Sequence, residues 1–148
     1  MDIKKYCINK EKLLYLIIAI ILISQEFSCS IPNLGKSKNE SEKILKYLKQ
    51  NDWEAIWDKT SLEFKKKIDY DKYKRLEKWV KKELGRIKKY EEKYFYSGSR
   101  FGIEGGYFVK FNYNVEFEKG IGEIEIILIE EKKEFRVLSL EFVKKPDI

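Results

Sequence analysis

The chain has 148 residues, enough for one folded domain, and its 38% charged and 15% aromatic residues are typical of a globular protein rather than a disordered one. Lys and Arg number 31 against 25 Asp and Glu, which gives a formal net charge of +6. The absence of histidine excludes histidine-dependent nucleophiles, acid–base pairs and zinc sites, and two cysteines exclude a disulfide framework, so we predict no metal and no cofactor.

The first part of the chain has the layout of an export signal. Lysines are frequent in residues 1–12, an unbroken apolar run follows over residues 13–23, and small or polar residues come next. This order is the pattern of a secretory signal peptide. A helix of that apolar length spans roughly 17 Å, well short of the ~30 Å hydrocarbon core, which disfavours a permanent membrane span. We therefore predict a signal peptide over residues 1–28, with Cys7 inert inside it.

Cys29 follows a small residue at the end of this segment. The sequence Phe27-Ser28-Cys29 resembles the lipobox of bacterial lipoproteins, whose cysteine is acylated and becomes the mature N-terminus, although Glu26 stands where that pattern has an aliphatic residue. Residues 29–38 are predicted to be a lipidated cysteine and a flexible tether, because Pro, Gly and polar side chains oppose regular structure. The resemblance implies a protein anchored to a membrane of the cell envelope, on the periplasmic or surface side. Cleavage after Ser30 would instead give a secreted protein, and an uncleaved anchor is the third possibility.

Apolar side chains recur at helical spacing over residues 39–85. A polar residue with Glu three positions on, as in Asn39–Glu42, is a capping box, and Asn51–Glu54 repeats this start signal. Asp69 is placed to cap a third helix, and Gly85 is placed to end it. We expect three helices, with a less regular stretch from Leu62 to Ile68. Their apolar faces are Ile44, Leu45 and Leu48, then Trp53, Ile56 and Trp57, then Tyr73, Leu76, Val80 and Leu84.

After the last helix the apolar period changes from about 3.6 to 2. Every second residue over 107–117 is apolar or aromatic and most neighbours are polar, which indicates a half-buried strand. Two more strands are expected over 123–130 and 135–143, and a more polar strand over 86–96 precedes them. Short turns require antiparallel pairing of neighbours. The prediction is an α+β fold, with N-terminal helices packed on a four-stranded antiparallel sheet in a single domain over residues 39–148. Two sets of strand residues are expected to share a face: Tyr90, Tyr94 and Tyr96, and Leu138, Leu140 and Phe142.

This order of elements resembles the nuclear-transport-factor-two-like, or cystatin-like, superfamily, and within it small bacterial lipoprotein domains of unknown function. The segments that carry the resemblance are Leu48–Trp53, Lys82–Gly85, Phe117–Gly120 and Glu134–Leu138. The resemblance spans about residues 39–142 and implies a curved sheet that forms a cone around the helices. Enzymes of this superfamily place Asp, His or Tyr in the cone, and this chain has no histidine.

Two kinds of candidate site follow from the residues. Aromatic side chains at core spacing either fill the core or line a pocket for a small apolar ligand. The candidate lining residues are Trp57, Tyr73, Tyr94, Phe111 and Tyr113. Glu92 is the strongest catalytic candidate, because a carboxylate on the face of the strand tyrosines would be desolvated, with a raised pKa. An outward turn of that face, or a bulge at Glu91–Glu92, would make Glu92 a surface residue instead.

The function predicted from these features is that of a non-enzymatic, membrane-anchored envelope domain that binds a protein partner or a small apolar ligand. Alternatives are an isomerase-like pocket enzyme of the same superfamily and a structural or adaptor module without a pocket. Basic residues outnumber acidic ones over residues 36–96 and not over 97–148. A solvated helix face explains these basic residues, and contact with anionic lipid headgroups is the alternative. Nucleic acid is not an expected partner of an exported protein.

Overall fold

The computed structural model describes residues 34–100 and 105–146, so the predicted signal peptide and both cysteines lie outside the described residues. In this part of the chain, helices precede a four-stranded, open antiparallel sheet whose strands lie side by side in chain order. The predicted α+β class is therefore confirmed. The helices are α1 (Leu34–Gln50), α2 (Trp53–Asp58), α3 (Leu62–Lys67) and α4 (Tyr70–Glu83). The strands are β1 (Ile87–Arg100), β2 (Gly106–Phe117), β3 (Gly120–Glu131) and β4 (Glu134–Lys144).

Side-chain caps start three of the helices. Asp52, Ser61 and Asp69 each accept a hydrogen bond from the backbone N–H three residues further on, at 2.7–3.1 Å. Such a cap satisfies a donor that the first helical turn leaves unpaired. The start predicted at Asp69 is confirmed, the start predicted from the Asn51–Glu54 box lies one residue later, at Asp52, and Gly85 follows α4 with a φ of 76°. The expected irregular stretch between them is wrong, because Ser61 caps the additional short helix α3.

Helix α1 begins five residues earlier than the capping box at Asn39 indicates. Residues 34–38, predicted as the end of a flexible tether, form its first turns, and the rest of that tether lies outside the described residues. Ser37 is fully buried, and its hydroxyl donates to the carbonyl of Leu34 at 3.0 Å. Leu34 itself packs against the core. Burial of this turn accounts for the early start, since packing outweighs the weak local preference.

The core lies between the helices and one face of the sheet, which we call the inner face. On β2 its members are Val109, Phe111, Tyr113, Val115 and Phe117, all at most 2% exposed. They pair across to Ile124, Ile126 and Leu128 on β3, which are fully buried. The alternation predicted for the central strand is therefore confirmed. In the described part of the chain, no helix is both long enough and apolar enough to cross a bilayer.

Three irregularities interrupt the strand alternation. Lys88 and Lys93 are extra residues in β1. Ile87 and Lys89 pair with the consecutive residues Phe117 and Glu116, and Glu92 and Tyr94 pair with the consecutive residues Tyr113 and Asn112. Leu138 is an extra residue in β4. Each bulge reverses the face on which the following side chains lie. The predicted common face of Tyr90, Tyr94 and Tyr96 is therefore wrong for Tyr90, which lies on the inner face while the other two lie on the outer face. The predicted common face of Leu138, Leu140 and Phe142 is confirmed for Leu140 and Phe142 and wrong for Leu138. The buried positions near the bulge in β4 are Phe135, Val137 and Leu140.

The hairpin end of the sheet is the end where β1 stops, β2 starts and β3 turns into β4 through residues 131–134. Helix α1 begins at this end, since Lys36 in its first turn lines one cleft together with Lys133. The helix runs to the opposite end, where Asn51 lines a cleft with Glu118. Leu34, the first described residue, therefore lies at the hairpin end.

Candidate functional site

Four of the five predicted pocket residues pack together in the core. Tyr73, Phe111 and Tyr113 are at most 2% exposed, and Trp57 packs against them from the rim. The rings of Trp57 and Tyr73 lie 5.0 Å apart, and those of Phe111 and Tyr113 lie 6.4 Å apart and are stacked. These contacts are those of packed core aromatics.

The hydroxyls of the two buried tyrosines have partners within the domain. The Tyr73 hydroxyl donates to the carbonyl of Trp53 at 2.8 Å, and the Tyr113 hydroxyl lies 2.8 Å from the Ser41 hydroxyl. Burial raises the pKa of Tyr113 to about 12 and also raises the pKa of Tyr73. Both phenols are therefore protonated at neutral pH. The Tyr113 hydroxyl joins α1 to β2, and the Tyr73 hydroxyl joins α4 to α2.

Tyr94 does not lie with the other four. It follows the bulge at Lys93, pairs with Asn112 on β2 and is 46% exposed. Phe95 takes the inner position in its place and packs on Phe111 at a ring distance of 6.2 Å. Sequence alternation assigned Tyr94 to the core face because the extra residue is invisible in the pattern of a single strand.

Glu92 lies on the inner side of β1 and pairs in register with Tyr113, so the structure brings together the carboxylate and a tyrosine as the catalytic hypothesis requires. However, the Glu92 side chain is 28% exposed and lies 3.2 Å from the ammonium of Lys38 on α1. The Tyr113 hydroxyl is occupied by Ser41. This arrangement is that of an ion pair at the helix–sheet border, and the bulge anticipated near Glu92 is present one residue later.

The opposite face of the sheet, which we call the outer face, carries a ladder of ion pairs. Lys110 and Glu125 lie 3.0 Å apart, and Glu123 lies 2.9 Å from both Lys93 and Lys145. Hydrogen bonds from Lys145 and Lys93 lower the pKa of Glu123 to about 2. The hydrogen bond to Glu125 raises the pKa of Lys110. These charges form opposite-sign pairs, between the neighbouring strands β2 and β3 for Lys110 and Glu125 and across β2 for Lys93 and Glu123, an arrangement suited to orienting a partner.

Asn112 is the buried polar residue of the outer face. It is only 5% exposed, and its Oδ1 makes no hydrogen bond with a described residue. A buried acceptor without a donor costs free energy. Tyr94 and Tyr96 lie beside it on β1 and are 46% and 58% exposed, and Phe108 packs on Tyr96 at 5.8 Å.

The outer face therefore combines exposed aromatic rings, paired charges and an unsatisfied acceptor. Sequence reasoning missed it, because alternation marks Asn112 only as one of several polar positions facing solvent. The available signal was its place in the middle of the central strand, flanked by Lys110 and Asn114.

Comparisons with known proteins place the chain in a family. The family model described as "Protein of unknown function (DUF4019)" matches residues 40–139, which is more than half of the chain. The chain belongs to this family. No curated protein and no solved structure matches the chain. The family match runs from α1 to β4, so it covers both the buried aromatic cluster and the outer face of this DUF4019 domain.

Proposed function

We propose that this protein is a lipid-anchored domain of the cell envelope that binds a protein partner through the outer face of its sheet and has no catalytic activity. The observation that carries the proposal is the pair of exposed rings, Tyr94 and Tyr96, beside the Lys110–Glu125 ion pair on the outer face. Exposed tyrosines around a polar centre are a composition enriched at protein interfaces.

A protein partner is a better fit than a small apolar ligand. Four of the five residues predicted to line an apolar pocket fill the core or pack on it, and the hydroxyls of Tyr73 and Tyr113 are satisfied by the Trp53 carbonyl and by Ser41. The enzyme alternative would use Glu92 as a base, and the ion pair with Lys38 instead supports a positioning role between β1 and α1. The nuclear-transport-factor-two-like cone remains part of this proposal, supported by helices that precede an antiparallel meander.

The anchor is supported by the sequence alone. A basic segment, a short apolar run and Cys29 after a small residue favour export and acylation, and they favour the periplasmic or cell-surface side of a membrane. Secretion without an anchor is the outcome if Cys29 is not modified. Nucleic acid is not an expected partner in either compartment.

The anchor is tested by mass spectrometry of the native N-terminus after expression of the full chain. We expect the mature chain to begin at Cys29 with acyl groups attached, and Cys29→Ser should abolish both the modification and membrane retention. A mature chain that begins after Ser30, or an intact N-terminus at Met1, would contradict the anchor.

The binding face is tested by photo-crosslinking of the full chain in living cells. A photo-reactive residue replaces Tyr96 on the outer face or, as a matched control of similar exposure, Trp79 on α4, which is 42% exposed. We expect a discrete adduct from position 96 that disappears in Tyr94→Ala and no such adduct from position 79. Equal adducts from both positions, or none from position 96, would refute the proposed face.

A further inference from the structure

The hairpin end carries a polar cleft of about 430 Å³, which we call the lysine cleft. Its basic lining residues come from three segments: Lys36 and Lys43 on α1, Lys59 after α2, and Lys133 in the β3–β4 turn. The remaining lining residues are Asn39, Glu40, Glu134 and Phe135.

The described lining of the lysine cleft contains four lysines and two glutamates. Glu40 is shared, at 3.0 Å from Lys43 and 3.3 Å from Lys59. Glu134 is turned to Arg136, with which it forms an ion pair at 2.5 Å. Lys133 makes no ion pair with a described residue, and its backbone φ of 69° holds it at the tip of the turn. The cleft therefore has an excess of ammonium groups directed at one volume, which favours a phosphate anion.

The position of the cleft relates it to the proposed anchor. Helix α1 starts at the hairpin end, and Leu34 is only five positions after Cys29. A fully extended chain of that length spans at most about 18 Å. An acylated Cys29 would thus hold the hairpin end close to the membrane surface, whereas the opposite end, with Lys81 and Lys82, would point away.

We propose that the hairpin end is the membrane-facing surface of the domain and that the lysine cleft binds the phosphate groups of anionic phospholipids. This inference rests on the proposed lipid anchor. Leu62 and Tyr107 line a neighbouring cleft of about 300 Å³ at the same end and are 63% and 38% exposed. Exposed apolar and tyrosine side chains beside lysines suit the interfacial region of a bilayer. Binding would fix the orientation of the domain and keep the outer face of the sheet accessible.

The test measures which lysines the membrane protects. The full chain, purified as cells process it, is reconstituted into vesicles of phosphatidylcholine alone or of phosphatidylcholine mixed with phosphatidylglycerol. Acetylation rates of single lysines are then followed by mass spectrometry at low and high salt. We expect Lys59 and Lys133 to react about fivefold more slowly on the anionic vesicles at low salt, with the difference shrinking at high salt, and Lys81 and Lys82 to react alike on both.

A matched pair of variants controls for net charge. Lys43→Gln with Lys133→Gln removes two charges from the cleft, and Lys81→Gln with Lys82→Gln removes two from the opposite end. In the first pair Lys43 forms an ion pair with a glutamate of its own helix, and in the second both lysines do. We expect the first pair to abolish the protection of Lys59 and the second to leave it unchanged.

Three outcomes would overturn the inference. These are equal acetylation on both kinds of vesicle, equal protection at Lys81, and the same protection by soluble glycerol phosphate without vesicles, which would assign the cleft to a free phosphate compound. Retention on neutral vesicles at high salt reports the anchor separately. Failure of the proposed anchor is therefore distinguishable from failure of the lysine cleft.

Discussion

The hydrogen bond between Tyr113 and Ser41 joins the central strand to α1, and its removal gives the sharpest test of the packing described above. The two oxygens lie 2.8 Å apart, and the residues are 2% and 0% exposed. Tyr113→Phe removes the hydroxyl while keeping the ring stacked on Phe111. Ser41→Ala removes the other partner with little change in volume.

The expected magnitudes differ for a physical reason. Ser41→Ala leaves a buried phenol hydroxyl without a partner and should cost about 2 kcal/mol of unfolding free energy. Tyr113→Phe should cost about 1 kcal/mol, because a helical serine hydroxyl can bond the backbone carbonyl one turn earlier. The double variant loses one hydrogen bond and leaves no buried hydroxyl without a partner. It should therefore cost about 1 kcal/mol, well under the sum of the costs of the two single variants.

Urea unfolding followed by fluorescence measures these differences. With a slope of about 2 kcal/mol/M, Ser41→Ala should lower the midpoint by about 1 M. Tyr96→Phe, at a position 58% exposed, is the control and should change the free energy by less than about 0.5 kcal/mol. Additive effects of the two substitutions would show that the hydroxyls do not interact, and the account of α1 docking on β2 would then be wrong.

Three further predictions concern other parts of the domain. Hydrogen bonds from Arg100 and then Lys67 lower the pKa of Glu63 to about 2, so its stabilising effect is complete above its ordinary pKa of 4.5 and is lost as pH falls toward 2. Because solvent screens this surface pair, Glu63→Gln should cost only about 1 kcal/mol at pH 7 and flatten the stability profile between those limits, as measured by urea unfolding against pH. Gly122→Ala would place a Cβ 2.4 Å from the carbonyl oxygen of Val143 and should lower stability by more than about 2 kcal/mol in thermal unfolding, whereas an unchanged melting temperature would contradict the β3–β4 pairing. Glu92→Gln should cost less than about 1 kcal/mol in urea unfolding, since it weakens only the partly exposed pair with Lys38, and a loss of several kcal/mol would contradict that description.

Local sequence signals were enough for the class of fold. The starts of α2 and α4 depend on Asp52 and Asp69, whose side chains bond backbone three residues away, so the determinant lies within the segment itself. The alternation of β2 is equally local, because both faces of a central strand are defined along its own length. These elements were predicted from the sequence, and the structure confirms them.

Elements that depend on distant neighbours were not predictable in the same way. The start of α1 is decided by packing of Leu34 and Ser37 against a core that forms from residues far along the chain. The helix α3 begins where Ser61 donates its backbone N–H to the carbonyl of Val137 at 2.8 Å, a contact across more than half of the domain. The capping box at Asn39 is a valid local signal that this tertiary packing overrides.

The same argument applies to the candidate sites. The aromatic cluster was predicted as either pocket or core, and the choice depended on whether the hydroxyls of Tyr73 and Tyr113 find protein partners, which spacing does not encode. The lysine cleft was visible only as a surplus of basic residues in the helical half. Its assembly requires the turn residue Lys133, from the other half of the chain, to lie beside Lys36 and Lys59.

The bulge at Lys93 in β1 was not predictable from the strand pattern, and it decides which side chains form the proposed binding face. If β1 alternated regularly through Lys93 without a bulge, Tyr94 and Tyr96 would lie on the inner face and Phe95 on the outer face. With it, the ring without a hydroxyl packs on Phe111, and the two phenols lie on the outer face beside Asn112. Because both extra residues of this edge strand are lysines, they also disfavour edge-to-edge pairing with another sheet. The bulge at Lys93 therefore keeps these two hydroxyls out of the core and supplies the aromatic part of the surface proposed to bind a partner.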